Sequence, residues 1–340
     1  MPSDGIHPNY GNVITEDSAE IIHGGKIKLL HLQEVFPENN NSFNILYLVS
    51  SARSPFAKEL VRWTKGKGVK LIWNQDGVAY PAWAGKNTKF QNEEMSRLIH
   101  QADYVIYQSA FCRESADRFL GPVKVPAKIL MNCADIHLFY PRDHYLPPTP
   151  WTLLAAGTHQ QPDRVFSILE AVSVLKRRQK DIRLILAGRL DWPRAEEEVR
   201  NTIDRYDIAD LIVSSPPYSQ EEAPQLYQRA HVLLHTKYKD PCPTVVIEAM
   251  ACGLPVIGSK SGGMPELVGE EGGLLIDVPD SWNEMYYPSA EKLADAVENI
   301  FDDLPGWRIK ARKRALELFN KETWIKSHKK IFETILTFHE

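Results

Sequence analysis

Short apolar runs alternate with longer stretches of helical spacing along nearly the whole chain. Phe43-Asn-Ile-Leu-Tyr-Leu-Val49 reads as a buried strand. Pro55 to Lys67 follows with apolar residues at 56, 57, 60, 61 and 63, a helical stripe with proline in its first turn. A strand at 69–73, a helix at 91–101, a strand at 104–107, a helix at 111–119 and a strand at 128–131 continue the alternation. His144-Tyr-Leu-Pro-Pro-Thr-Pro150 suits neither a helix nor a central strand and marks a linker. Beyond it, strands are predicted at 151–156, 182–187, 211–213, 232–235, 255–258 and 274–276. Helices are predicted at 162–179, 193–205, 219–228, 244–252 and 264–268, and residues 289–340 read as helical throughout.

Strands alternating with helices imply parallel sheets covered on both faces. The expected architecture is α/β, with two doubly wound, Rossmann-like domains facing a central cleft. They span 1–143 and 151–304, joined by 144–150, with a helical tail at 305–340 free to return to the first domain. Ligands of such sheets bind at the carboxyl ends of the strands. The first domain lacks an obvious opening strand, because residues 1–23 contain no apolar run. Either upstream codons encode one, or another segment covers that sheet edge. Lys26 to Phe36 is ambiguous: positions 27, 29 and 31 alternate as in a strand, and 29, 32, 35 and 36 fit a helix.

The chain has 340 residues, 43% apolar and 25% charged, which excludes a disordered chain and suits about two domains. Its formal charge of −4 argues against nucleic-acid binding through bulk positive charge. No segment approaches the ~20 apolar residues that span a bilayer, and residues 1–11 lack the features of a signal peptide. A cytoplasmic chain is expected, with contact at the inner face of the membrane left open. Arg308-Ile-Lys-Ala-Arg-Lys-Arg314 reads as a solvated helix face or as a contact for an anionic lipid or acceptor. The four cysteines form no C-x-x-C pair and no zinc spacing with histidine, so they read as reduced thiols.

Dinucleotide, P-loop, zinc-protease and serine-hydrolase motifs are absent. The dense signal is Asp240-Pro-Cys-Pro-Thr-Val-Val-Ile-Glu-Ala-Met-Ala-Cys-Gly253. Pro243 and Thr244 open a helix that Gly253 ends. Its apolar residues lie on nearly every side, so the helix is buried, and Glu248 needs a partner. A backbone amide, an arginine or ligand hydroxyls would serve. Asp240 sits eight positions earlier, in the loop at a strand's carboxyl end. The two carboxylates reach one ligand from different depths, and the helix N-terminus between them favours an anion. An anion flanked by hydroxyl-bearing groups describes a nucleotide sugar.

Residues 240–268, ending Gly-Ser-Lys-Ser-Gly-Gly-Met-Pro-Glu-Leu-Val, resemble the donor-site signature of the family 4 glycosyltransferases, retaining enzymes of the GT-B fold. That signature has two acids separated by seven residues, then E-A-M-A-x-G-x-P-V and G-G-x-x-E. Asp240 takes the place of its first glutamate, and Glu248 through Val256 match fully. Asn132-Cys-Ala-Asp135 with Phe139 and Pro141 is similar to the segment ending the family's first domain. Gly24-Gly25 resembles the family's glycine loop toward acceptor and phosphate, which selects a helix at 26–36. The resemblance implies that Glu248 binds the ribose, that Asp240 holds hydroxyls of the transferred sugar, and that amides near Cys242, Thr244 and Val245 bind the diphosphate. It also implies that Gly262 and Gly263 bind the donor. It implies no cofactor or metal, a UDP-, GDP- or ADP-sugar donor, and a hydroxyl acceptor on a glycan or glycolipid.

The chain departs from the family at several positions. Cys242-Pro243 replaces Phe-Gly. Thr158 and Asp163 stand where an arginine and a lysine grip the diphosphate. Trp73-Asn-Gln-Asp-Gly77 replaces a histidine-bearing loop. Arg164, the nearest cation, is the candidate to meet the leaving diphosphate, with His159 assisting as a neutral or charged hydrogen-bond donor. The competing role for Arg164 is a surface pair with Asp163 or Glu170. The alternatives to a transferase are a nucleotide-sugar-binding protein without turnover and a GT-B-fold epimerase or phosphorylase.

Overall fold

A computed structural model describes residues 5–11, 24–142 and 149–337. Most of the proline-rich segment at 144–150 lies outside them. The chain forms two compact units, Met1–Asn132 with Ser281–Met285 and Lys321–Glu340, and Cys133–Asp280 with Tyr286–Asn320.

The first unit holds five parallel strands in the order β1-β2-β3-β4-β5: β1 (Pro8–Asn9), β2 (Ile45–Val49), β3 (Lys70–Gln75), β4 (Tyr104–Tyr107) and β5 (Ala127–Ile129). Its helices are α1 (Gly24–Gln33), α2 (Ala57–Lys65), α3 (Pro81–Ala84), α4 (Thr88–Ile99) and α5 (Ala110–Phe119). Leu46 and Leu48 of β2 pack with Val61 of α2, Leu98 of α4 and Ala116 of α5. Between them, Tyr47 points the other way and meets Phe332 and His328 of the chain's last helix, with its hydroxyl 3.0 Å from His328 Nε2. Cover on both faces explains why β2 reads as a continuous apolar run.

The strand expected to be missing is present and polar. Pro8 and Asn9 pair in parallel with Ile45 and Leu46 at the sheet edge. Side-chain bonds secure this short edge: Asn9 Nδ2 donates to Asn39 O (3.2 Å) and Asn40 Oδ1 (2.9 Å), and buried Tyr10 donates through its hydroxyl to Phe36 O (2.8 Å). A second correction concerns Gly24 and Gly25, which form the first turn of α1 instead of a loop before it.

The second unit holds six parallel strands: β6 (Trp151–Ala155), β7 (Ile182–Ala187), β8 (Ile212–Ser215), β9 (Val232–His235), β10 (Val256–Lys260) and β11 (Gly273–Asp277). Its helices are α6 (Pro162–Arg177), α7 (Ala195–Arg205), α8 (Ala223–Tyr227), α9 (Thr244–Ala251), α10 (Met264–Val268), α11 (Ala290–Asp302) and α12 (Leu304–Leu318); the last helix, α13 (Lys321–Thr337), belongs to the first unit. The spatial order is β11-β10-β9-β6-β7-β8. The chain builds outward from β6, then returns to its other side at β9. Neighbouring strands β6 and β9 therefore send their following loops toward opposite directions, opening a crevice at their carboxyl ends.

The basic run at 308–314 lies on α12, and two of its arginines are structural fasteners instead of a solvated face. Arg312 donates to Ala251 O, to Phe139 O (2.7 Å) and to Ile136 O (3.3 Å). Arg314 donates to Leu267 O (2.6 Å) and Glu266 O (2.8 Å). Carbonyls at the ends of α9 and α10, which lack intrahelical donors, are closed in this way. Arg312→Ala is expected to lower the unfolding free energy by about 2 kcal/mol, with Arg312→Lys recovering only part, because one ammonium cannot span three diverging carbonyls. Urea denaturation measures this, and a loss below ~0.5 kcal/mol would show that water serves these carbonyls equally well.

Candidate functional site

The loops that follow β6, β9 and β10 meet at the crevice. Asp240, on the β9 loop, is buried, as is its partner His235, and Lys237 is half-buried. His235 Nε2 lies 3.3 Å and Lys237 Nζ 3.2 Å from Asp240 Oδ2. Arg164, in the first turn of α6, reaches His235 Nδ1 from the other side (3.4 Å) and also donates to Ala156 O (3.0 Å) and Thr158 O (3.2 Å). Burial lowers the His235 pKa to about 4, although Asp240 works against that shift. A neutral ring accepting at Nδ1 and donating from Nε2 links the guanidinium to the carboxylate. Burial alone would raise the Asp240 carboxyl, but Lys237, His235 and Arg164 together hold it well below its ordinary value.

Glu248 lies on α9 and is 5% exposed. Tyr227 donates to Oε2 and Gln220 to Oε1, each at 2.8 Å. These side chains are its partners, in place of the backbone amide or arginine considered from sequence. Burial pushes its carboxyl up to about 7, against the pull of these bonds. Burial raises the Tyr218 hydroxyl well above its ordinary value, the Glu248 charge adds to that shift, and Tyr227, Arg164 and the Gly157 backbone oppose it.

The glycine pair on the β10 loop supports Asp240 through the backbone. Gly262 has φ +63°, and a Cβ there would lie 2.8 Å from Asp240 N. Gly263 N donates to Asp240 O (2.9 Å), and Ser261 Oγ accepts from Lys239 N (3.1 Å). Lys239 itself takes a left-handed conformation, φ +50°, a strain typical of functional loops. Cys242 is buried beside the start of α9, where Thr244 and Val245 are half-buried. Gly24 and Gly25 belong to the first unit, whereas the other candidates lie in the second. A Cβ on Gly25 would crowd Ala52 Cβ at 3.2 Å, so α1 approaches the β2 loop closely there. Beside it, Asp76 of the Trp73–Gly77 segment bonds to Lys28, Ser51 and Gln108.

Three buried polar atoms on the β6 loop and in the first turn of α6 have no partner: His159 Nδ1, Gln161 Nε2 and Arg164 Nε. Their chemistry follows from the bonds that do form. Gln161 Oε1 accepts from Tyr238 N (3.2 Å) and Tyr287 OH (3.0 Å), which assigns the orphan as an amide donor. His159 Nε2 lies 3.1 Å from Ala187 O, and burial, reinforced by Arg164, lowers its pKa to about 3. The ring is thus neutral with Nδ1 an acceptor, which reverses its expected role as a donor to phosphate. Two donors and one acceptor suit a ligand bearing an anionic oxygen and a hydroxyl.

The structure brings Asp240, Arg164, His159 and the two β10 glycines around one crevice. Sequence reasoning missed His235, Lys237, Gln161, Gln220, Tyr218 and Tyr227. His235 left a visible signal, a polar residue closing the apolar strand Val232-Leu-Leu-His235 at its ligand end. The others occupy loops or α8, where no period marks them. Among the described residues, no three His, Cys, Asp or Glu side chains converge as metal ligands.

The family described as glycosyl transferases group 1 matches residues 139–313, just over half of the chain. The chain is 27% identical over 186 residues to a D-inositol 3-phosphate glycosyltransferase of Pseudarthrobacter chlorophenolicus, covering 54% of this chain and 42% of that protein. It is 21% identical over 320 residues to the gpi3 subunit of phosphatidylinositol N-acetylglucosaminyltransferase of Schizosaccharomyces pombe, covering 94% and 61% respectively. The chain thus spans less than two thirds of either relative. Among solved structures, a sucrose-phosphate synthase from Thermosynechococcus elongatus aligns with TM-score 0.69 at 20% identity, covering 91% of this chain and 76% of that one. Anabaena Alr3699/HepE in complex with UDP-glucose aligns with TM-score 0.69 at 17% identity, covering 92% and 90%. With these structures the chain shares the GT-B fold of two Rossmann-like, parallel-sheet domains.

The raised Glu248 pKa carries a pH signature. The native carboxyl keeps its proton where the unfolded one, with an ordinary value of 4.5, has lost it. Its contribution to stability is full below pH 4.5 and is lost as pH rises through about 7. His159 and His235, buried neutral, act with the opposite sign: their contribution is full above pH 6.5 and is lost as pH falls through about 4 and about 3. The difference between the wild-type and Glu248→Gln stability curves isolates the carboxyl, and should fall by up to about 3 kcal/mol across that window. Chemical denaturation at a series of pH values would reveal a flat difference if Glu248 ionises freely.

Proposed function

The chain belongs to the glycosyl transferases group 1, and on that premise we propose that it transfers a sugar from a nucleoside-diphosphate sugar to a hydroxyl acceptor with retention at the anomeric carbon, as in family 4. The observation that carries this reading is the trio of unpartnered polar atoms at 159–164, beside a buried carboxylate kept charged. Gln161 Nε2 and Arg164 Nε suit diphosphate oxygen, and His159 Nδ1 suits a hydroxyl. Asp240 holds hydroxyls of the transferred sugar. Glu248 holds the ribose, exchanging the Gln220 or Tyr227 bond for ligand hydroxyls. The amides of Thr244 and Val245 at the α9 N-terminus share the diphosphate charge.

Reaction on one face of the sugar needs no protein nucleophile. The leaving diphosphate takes the acceptor's proton as the glycosidic bond forms, so the protein acts by positioning and by stabilising the departing charge. Arg164 contributes that charge from beneath the β6 loop, compensating for Thr158 and Asp163. A hydroxyl acceptor agrees with the inositol-containing names of the two relatives, one of which refers to a lipid-linked inositol; a glycan or glycolipid is the acceptor class proposed here. The loss of the family's arginine–lysine pair favours, as a second reading, a nucleotide-sugar-binding protein without turnover.

Incubation with labelled UDP-, GDP- and ADP-sugars is expected to give transfer or slow donor hydrolysis, with the released anomer matching the donor by NMR. An inverted product would refute retention, binding without donor loss would establish the second reading, and an isomerised donor would identify an epimerase. Activity is expected to survive EDTA, because no D-x-D pattern lines the site and Arg164 with the α9 N-terminus supplies positive field. Loss on chelation that manganese or magnesium restores would oppose this. Glu248→Gln should weaken donor binding by about 1.5–3 kcal/mol in calorimetry, and unchanged affinity would leave Glu248 a packing residue.

A further inference from the structure

The charges around Asp240 do not cancel. Arg164 and Lys237 are cationic, His235 is kept neutral by burial, and Asp240 is the carboxylate bonded among them. Asp163 and Glu170, the acids considered from sequence as partners of Arg164, are exposed and form no ion pair with it among the described residues. One positive charge is therefore left over, at a site where Arg164 and Asp240 are buried. Charge withdrawn from water is costly unless an opposite charge meets it, so the cluster is suited to an anion.

The cations near the crevice differ in what they can offer. Arg164 gives Nη1 to Thr158 O and Nη2 to Ala156 O and His235, which leaves its Nε open. Lys239 is buried, with φ +50°, and is held by Asp280. Lys260, at the end of β10, pairs with Asp277 (3.0 Å). The Lys237 side chain is 25% exposed, and its ammonium lies 3.2 Å from Asp240 Oδ2. An ammonium has three donors, so this bond leaves two for a ligand. The backbone on each side of Lys237 is tied to the segment that carries the open donors. Thr236 Oγ1 donates to Arg164 O (2.8 Å), and Tyr238 N donates to Gln161 Oε1 (3.2 Å). Lys237 is thereby held next to the residues bearing Gln161 Nε2 and Arg164 Nε.

We propose that Lys237 is a catalytic cation, whose ammonium bridges the carboxylate that holds the sugar and the diphosphate that leaves it. This role requires a nucleoside-diphosphate sugar as ligand, and so rests on the function proposed above. When the bond from the anomeric carbon to the diphosphate oxygen breaks, the electron pair stays on that oxygen, and an ammonium already in place meets the charge. Arg164 supplies a fixed charge from beneath the loop. Lys237, on a flexible stem, supplies one that can follow the departing oxygen. A cation from the β9 loop thus stands in for the pair that Thr158 and Asp163 replace on the β6 side.

Calorimetric titration of the full chain with UDP, GDP and ADP tests the role. For the diphosphate that binds the wild type, Lys237→Met should weaken affinity about tenfold or more, and Lys237→Arg by less than about threefold. In turnover of the matching sugar nucleotide, Lys237→Met should lower kcat more than it raises KM, because the charge it meets grows in the transition state. If Lys237 only masked the charge of Asp240, its removal would matter solely while that carboxylate is present. In the Asp240→Asn background, Lys237→Met should still lower affinity about tenfold, and equal affinities there overturn the proposal. An equal loss in Lys260→Met would show a general field effect and would overturn it too. Near-ultraviolet circular dichroism checks that each variant is folded, and Lys237→Gln takes the place of Lys237→Met if the latter is not. Failure of the wild type to bind any of the three diphosphates would remove the nucleotide-sugar reading and this role together. Binding that Lys237→Met retains in full removes the role of Lys237 alone.

Discussion

A carboxylate removed from water must be met by positive charge or hydrogen-bond donors, or it takes up a proton. Asp240 is met by Lys237 and His235, and behind His235 stands Arg164. This requirement organises the crevice. Arg164 faces inward because its charge is needed beneath His235 and its donors are needed by the carbonyls of Ala156 and Thr158. The same contacts fasten the loops to one another: Thr236 Oγ1 donates to Arg164 O (2.8 Å), Tyr238 N to Gln161 Oε1, and Gly263 N to Asp240 O. Three loops from three strands thereby hold one geometry. Such preorganisation lets fixed charges act without rearranging during a reaction.

The two acids of the motif are kept differently. Asp240 is surrounded by cations and stays charged. Glu248 has only neutral donors, Tyr227 and Gln220, and burial makes its proton easy to keep. Eight residues apart in sequence, they are separated in electrostatics because one lies in a loop that lysine and histidine can reach and the other inside an apolar helix. This contrast suits different tasks: a fixed charge toward a sugar, and an adaptable acceptor toward a ribose.

Buried charge also holds the periphery. Arg312 and Arg314 reach from α12 to helix ends that would otherwise leave carbonyls unpaired, and the Gly269 site packs against the Arg314 guanidinium. In the first unit, Lys28 and Asp76 form a buried pair at the ends of the strands, with Asn74 accepting from Lys28 (3.0 Å) and donating to Tyr47 (2.7 Å). The polar chain continues to His328 on α13, so the C-terminal helix is joined to the sheet by hydrogen bonds as well as by Phe332.

The sequence by itself determined most strands and helices, because periodicity records which side of an element meets apolar surroundings. It also determined that Glu248 is buried, since its helix is apolar on nearly every side, and that Asp240 lies in the loop at a strand's carboxyl end. It did not reveal β1, because two residues have no period and their edge is held by asparagine side chains. Nor did it reveal where Arg164 points, what bonds Glu248, or why Arg312 and Arg314 lie on α12. Those facts depend on which elements are neighbours. The order that places β9 beside β6 brings His235 under Arg164, and the packing of α12 on α9 brings Arg312 to Ala251. Only the tertiary structure decides these pairings, because a side chain's partner is set by residues tens of positions away, and local pattern carries no record of them.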